Sequence, residues 1–574
     1  MRTKFILVIA SLMSVAMVSA QGAFEPLPQL TSPEKVHVVD VGKFTQYLGQ
    51  YIETDTETGK QDTTYQAVPE IVWQSEGEDI SMQTNAPRHV APIHMTGTLN
   101  GFFKNVQFYV FKYTYESIDA EGNPVTLSSI AATPDPSDVS KVNNVLIGTH
   151  ITITADRERP SNQTNGLSAD SDWGPIFAMS AGKPTSAGTT VSVVRGVLGV
   201  LSLGLSELAW GTTDIVREIK YNKYRHNFVV MPDYEGYGET SGRAHPYLYQ
   251  ELTARQVADA TQAAIYAYQH DPELSSISLQ FEDDWKTVIC GYSQGGSVAM
   301  ATQRFMEQNH IDDTFRLVGS ICGDGPYDPM STLMYYIEKD RQNEKMSMAV
   351  VLPLIIKGML DTNPYMRTHK AEDYFNTKFV ETGIMSWLNG KQMSTGDIEN
   401  GFIRMYNEGK DGDPTYFRDI FDQEGRALMR NIMNEECYRY FGNIYDNYKN
   451  TYKTAAGIPL PATRGVMEDL HFALASNDMT DGWTPRHTIL LFHSNTDKVV
   501  PYDNAERAVA KLGGWAVLHT AELGHDHGDS GKDFFAGDSN AGIFINDNLR
   551  ITYAMKTLLD LPYSGQTTSS VTSW

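Results

Sequence analysis

Between an apolar run at residues 287–290 and an amphipathic stretch beginning near Ser297 stands Gly291-Tyr292-Ser293-Gln294-Gly295, followed by Gly296. A strand that turns into a helix within so few residues brings the two backbones into near contact. Side chains two before and two after the turning residue are then excluded, and glycine is what remains. The turn also strains the central residue and lifts its hydroxyl above the sheet. A chain of 574 residues with 46 glycines could show the pattern by chance. Its strand-turn-helix setting gives it meaning, and predicts a nucleophile elbow with Ser293 as nucleophile.

Such an elbow needs a parallel sheet around it, and the rest of the chain supplies the pattern for one. Residues 106–117 are rich in aromatic and β-branched side chains. A turn cluster at 119–124 and a second strand-like run at 125–133 complete a hairpin. Short apolar runs follow at 145–147, 228–231, 287–290, 317–321, 489–492 and 516–518, as expected of strands buried on both faces. Several are separated by apolar stripes at helical spacing. One comprises Val257, Ala260, Ala264 and Ala267, another Val298, Ala301 and Phe305, a third Ala505, Ala508, Val509 and Leu512. The fold expected is α/β, with a mostly parallel sheet, an N-terminal antiparallel hairpin and helices on both faces.

Residues 330–485 interrupt that alternation. They lean helical, are rich in Met, Tyr and Asn, and are expected to form a cap inserted into the core, whose two parts are 101–329 and 486–562. Residues 21–100 form an N-terminal extension with weak periodicity and no interpretable motif. Residues 563–574 form a polar tail. An apolar, glycine-rich stretch at 191–210 is broken by Arg195 and Glu207, which favours a packed or lid-like helix over a membrane span.

The first twenty residues have the order of a secretory signal peptide: Arg2 and Lys4, then an apolar stretch at 5–18, then Val18-Ser19-Ala20 before Gln21. The mature protein is therefore expected in the periplasm or outside the cell, with no integral membrane segment after cleavage. Its formal charge of −24 becomes −26 once the leader's two basic residues are gone, which disfavours nucleic acid and anionic membranes as partners. Nothing in the sequence specifies an oligomeric state. The three cysteines, Cys290, Cys322 and Cys437, lack the spacing of a metal site or redox pair; Cys290 and Cys322 read as small buried hydrophobes.

A serine hydroxyl attacks only when a base takes its proton, and chains of this pattern run serine, acid, histidine. Asp497, on a loop after a strand run, is the favoured acid; Asp324 and Asp478 are its rivals. The base is His525 or His527, in Gly524-His525-Asp526-His527-Gly528 after the last strand run. The oxyanion hole would take one backbone N–H from Gln294 and a second from the loop Gly148-Thr149-His150-Ile151-Thr152, with Ile151 as the candidate.

Beyond the elbow, Pro232-Asp233-Tyr234-Glu235-Gly236-Tyr237-Gly238, then His245-Pro246-Tyr247, Gly325-Pro326-Tyr327-Asp328 and Trp483-Thr484-Pro485 together resemble the secretory lipase family of the α/β-hydrolases. The resemblance spans roughly residues 105–560. It implies an α/β-hydrolase fold with the cap between the sixth and seventh strands. It also implies ester hydrolysis through Ser293, Asp497 and a histidine. His527, followed by Phe534 and Phe535, matches the family pattern better than His525. The expectation is an exported carboxylesterase or lipase, acting on a small-molecule or lipid ester through an acyl-enzyme, with no cofactor and no metal. A serine peptidase of the same fold is the second reading, and a binding module that has lost its chemistry the third.

Overall fold

The computed structural model describes residues 29–54, 61–76, 90–92, 108–162, 176–181, 224–521, 524–536 and 549–561, together with 571 and 573. The leader at 1–20, the stretch at 191–210 and most of the tail lie outside the described residues. Among the described residues, eleven strands form one sheet: β1 (His37–Thr54), β2 (Gln61–Trp73), β3 (Val90–Pro92), β4 (Phe108–Ile118), β5 (Pro124–Pro134), β6 (Val145–Thr149), β7 (Phe228–Pro232), β8 (Thr287–Tyr292), β9 (Leu317–Gly323), β10 (Thr488–Ser494) and β11 (Ala516–Ala521). Their order is β11-β10-β9-β8-β6-β7-β5-β4-β1-β2, with β3 beside β1. Every pairing from β11 to β7 is parallel. The pairings of β7 with β5, β5 with β4, β4 with β1, and β1 with β2 and β3 are antiparallel. Counted from the β4–β5 hairpin, the third and fourth strands are exchanged in space and only the second runs against the others beyond it. This is the α/β-hydrolase sheet.

The central strands are apolar without a break because both faces are covered. Val145 and Ile147 of β6 pack with Phe228 and Val230 of β7 against α1 (Gln250–His270) and α2 (Gln294–Gln308). The intervening Leu146, Val229 and Met231 face the other side. The cap follows β9 as α3 (Pro329–Arg341), α4 (Val351–Thr362), α5 (Ile384–Gly390), α6 (Thr395–Glu408), α7 (Glu435–Tyr448) and α8 (Val466–Ala475), with shorter turns between them. Then α9 (Asp503–Leu512), α10 (His527–Ala536) and α11 (Leu549–Leu559) return to the core, α9 on the face of α1 and α11 on the opposite face. No helix among the described residues is long and apolar enough to cross a membrane.

The cap has its own apolar core, in which Phe402 and Phe421 stack with ring centroids 4.5 Å apart. That core runs into the loops that follow β7 and β10 through Tyr247, Leu248, Val499 and Val500. Its first helix starts firmly. Asp328 accepts the Met330 N–H at 2.9 Å, and Pro329 occupies a position whose N–H a helix leaves unpaired.

The antiparallel part of the sheet is larger than the sequence suggested. Residues expected to be an extension without pattern contribute β1, β2 and β3. The weak periodicity has a cause. The register of β1 on β4 shifts between Val38 and Asp40, so Val38 and Val41 reach the same face at a spacing of three. A bulged strand does not alternate, and its signal is lost.

Candidate active site

Ser293 joins β8 to α2 with φ 56° and ψ −124°, a left-handed conformation that non-glycine residues rarely adopt. The surrounding glycines permit it. A Cβ on Gly291 would fall on the Thr149 hydroxyl oxygen, one on Gly295 on the Thr149 carbonyl oxygen, and one on Gly296 on the Gly323 carbonyl oxygen. The crossing is closed by hydrogen bonds as well as by contact. Thr149 Oγ1 lies 2.8 Å from the Gly295 carbonyl and 3.1 Å from that of Cys290. The Ser293 N–H donates to the Gly323 carbonyl at 2.9 Å.

His527 is the first residue of α10. Its Nε2 lies 2.8 Å from Ser293 Oγ, and its Nδ1 lies 2.6 Å from Asp497 Oδ2. Asp497 sits in the loop after β10 with its side chain fully enclosed. Its Oδ1 accepts the N–H groups of Val499 and Val500 at 2.8 and 2.9 Å. An acceptor held in that way selects the tautomer with hydrogen on Nδ1 and leaves the Nε2 lone pair facing the serine hydroxyl. The electrostatics agree. Burial would raise the Asp497 carboxyl, but the His527 imidazole beside it, His493 and the Val499 N–H together hold it below its ordinary value. Burial works against a charged His527, and the Asp497 carboxylate reverses that, holding the imidazole above its ordinary 6.5.

The rival acids and the rival histidine have other partners. His525 turns its Nδ1 to Asp533 Oδ2 at 2.5 Å, with its side chain 42% exposed. Asp478 is at the base of the cap, 3.0 Å from the Arg507 guanidinium. Asp324 is buried close to the three converging groups, but its Oδ1 accepts the Ser494 N–H and its Oδ2 lies 2.7 Å from the Tyr292 hydroxyl oxygen. Gln294 opens α2, so its N–H has no partner within the helix. The loop carrying Ile151 follows β6 and lays the Thr149 and His150 carbonyls over Gly295, next to Gln294.

The motifs behind the resemblance brace this arrangement. Asp233 accepts the Ser161 N–H at 2.8 Å and the Ser128 hydroxyl at 2.6 Å. A Cβ on Gly236 would meet the His245 backbone at 2.6 Å. His245 Nδ1 lies 2.8 Å from the Glu235 carbonyl, and its Nε2 lies 2.9 Å from Gln294 Nε2, so the side chain beside the nucleophile is held in turn. Burial lowers His245 to about 3 and His150 to about 4, so neither ring carries charge at neutral pH. The spacing of the elbow motif treats Tyr292 and Gln294 as fillers; nothing local marked the contacts their side chains make.

Asp324, His493 and Asp497 bring donor atoms within 4.8 Å of one another, a set of metal-ligand types. Three of their four carboxylate oxygens accept hydrogen bonds from the protein: Asp324 Oδ1 from Ser494, and the two of Asp497 from Val499, Val500 and His527.

An α/β-hydrolase sheet thus carries a serine, an imidazole and a carboxylate in series at its elbow. No protein-family model matches the chain, and no curated protein matches it. Among solved structures it is similar to the rice cell wall degrading esterase LipA from Xanthomonas oryzae, at 21% identity and a TM-score of 0.46 over 79% of this chain and 91% of that one. It is also similar to a putative hydrolase from Legionella pneumophila, at 15% identity and a TM-score of 0.48 over 79% and 90%. The third is Candida antarctica lipase A in its closed state, at 12% identity and a TM-score of 0.42 over 83% and 84%.

Proposed function

We propose that the protein is an exported ester hydrolase working through Ser293, His527 and Asp497. The observation that carries this is the unbroken series from Ser293 Oγ through the imidazole to a buried carboxylate, at 2.8 and 2.6 Å. Ser293 Oγ attacks the ester carbonyl carbon while His527 Nε2 takes its proton. The tetrahedral oxyanion forms beside the Gln294 N–H, with Ile151 as second donor. Its collapse breaks the C–O bond, and the alcohol leaves with the proton held by His527. Water then attacks the acyl-enzyme with His527 again as base, releasing the acid and restoring Ser293. None of these steps needs a cofactor.

The direct test compares p-nitrophenyl esters with aminoacyl p-nitroanilides, and labels the protein with a fluorophosphonate. Ester turnover with label on Ser293 is expected. Anilides turned over faster than esters would favour the peptidase reading, and label absent from Ser293 would remove the catalytic one.

The pH dependence follows from the electrostatics. Catalysis needs a neutral imidazole, so kcat/KM should fall as pH drops through the His527 pKa. The Asp497 charge places that limb above the ordinary histidine value of 6.5. Asp497→Asn removes the charge, and the limb should move to lower pH along with the loss of rate. A limb that stays in place in the variant would mean that Asp497 does not set the imidazole.

A further inference from the structure

Asp324 opens the loop after β9 in left-handed backbone, with φ 34°, and is fully buried. Its N–H donates to the Phe492 carbonyl at 2.9 Å, and its Oδ1 accepts the Ser494 N–H at 3.1 Å. Both bonds pin it against β10. Its other oxygen, Oδ2, lies 2.7 Å from the Tyr292 hydroxyl oxygen. That same hydroxyl oxygen lies 2.6 Å from the backbone carbonyl oxygen of His527.

These three oxygens in series need two hydrogens between them. Tyr292 brings one, and a peptide carbonyl brings none. With Asp324 ionised, one of the two contacts would set lone pair against lone pair in a site closed to water, a costly arrangement. With Asp324 protonated, its Oδ2–H donates to Tyr292 Oη, and Tyr292 donates to the His527 carbonyl. Both short contacts are then hydrogen bonds.

We infer that Asp324 is held as a neutral carboxylic acid whose proton completes a relay through Tyr292 to the His527 backbone, making Asp324 and Tyr292 positioning residues for the imidazole. The carbonyl they grip belongs to the residue that opens α10, so the relay sets the point from which the ring reaches Ser293. The inference rests on the proposed role of His527.

The groups facing Asp324 fit this assignment. They are Tyr292 from β8, His493 from β10, Asp497 from the loop beyond it, and His527 and the buried Ser530 from α10. Two carboxylates in one dry site do not both ionise readily. Asp497 takes the charge, because it accepts two backbone N–H groups and the imidazole, whereas Asp324 accepts a single backbone N–H. Burial above all pushes the Asp324 carboxyl up and the Asp497 charge adds to the rise, while His493, His527 and the Ser530 hydroxyl draw it down without cancelling it.

The experiment compares Asp324→Asn, Asp324→Ala and Tyr292→Phe in the full mature chain, with Asp497→Asn alongside. The readouts are kcat and KM on p-nitrophenyl acetate and an infrared difference spectrum of wild type against Asp324→Asn. Tyr292→Phe breaks the relay and should lower kcat about 10- to 100-fold by misplacing the imidazole, with KM little changed. Asparagine can donate to Tyr292 and accept from Ser494 as the neutral acid does, so Asp324→Asn should rescue most of the rate that Asp324→Ala loses. The spectrum should show the C=O band of a protonated carboxyl at assay pH. If Asp324→Ala does not fold, the other variants and the spectrum still decide. An Asp324→Asn variant as impaired as the alanine one, a missing carboxylic-acid band, or an unaffected Tyr292→Phe would each overturn the relay. If instead Asp324→Asn abolishes turnover and Asp497→Asn spares it, the acid of the proposed triad is misassigned, a separate failure.

Discussion

Ser293→Ala should lower kcat on a short p-nitrophenyl ester by at least about four orders of magnitude, and His527→Ala should do nearly the same. The two changes should not add. The hydroxyl is a nucleophile only while the imidazole removes its proton, so the double variant is expected to be no worse than either single one. Whatever rate survives would reflect binding and oxyanion contacts. His525→Ala provides the contrast, since that ring faces Asp533 and solvent, and it should leave turnover close to wild type. Steady-state kinetics on the four variants checks the whole set. Full activity in Ser293→Ala, or a large loss in His525→Ala with His527→Ala spared, would refute the assignment.

Gly295→Ala should be nearly as damaging, though it removes no functional group. The added methyl would fall on the Thr149 carbonyl oxygen, with the His150 carbonyl oxygen 2.8 Å away, and both are backbone atoms that cannot swing aside. The start of α2 would have to retreat from the loop after β6. The expected cost is about 3 kcal/mol or more, at the upper end of what overpacking does. Because the retreat moves Gln294 and Ser293 together, activity should collapse in whatever protein still folds. Gly242→Ala is the control. A Cβ there meets nothing within 4 Å, and the change should stay within about 0.5 kcal/mol. Urea unfolding of both variants gives the comparison, and equal midpoints would show that the elbow tolerates bulk.

Much of this molecule was legible in its sequence because its central features are local. Runs such as 228–231 are apolar throughout because both faces of β7 are covered, and that shows in a handful of consecutive residues. The elbow glycines are close in sequence for the same reason that they are close in space. Residues 330–485 stood out as a long helix-leaning interruption between two buried strands, now β9 and β10. By contrast, β1 was illegible because its bulge destroys the alternation on which strand recognition depends.

The site divides along the same line. Residue types and their order named Ser293, Asp497 and two histidines, because the chemistry of nucleophile, acid and base restricts which side chains can serve. They left His525 and His527 as rivals until the family resemblance favoured one. The two rings part in space: α10 begins at His527, whose Nε2 lies 2.8 Å from Ser293 Oγ, while Asp533 holds the other ring two residues away. Tertiary structure alone also set Asp324 behind the site, tied to Tyr292 and Ser494 across neighbouring strands. Sequence spacing records what the backbone demands of its near neighbours. Contacts between strands hundreds of residues apart are decided by packing, and only the folded chain contains them.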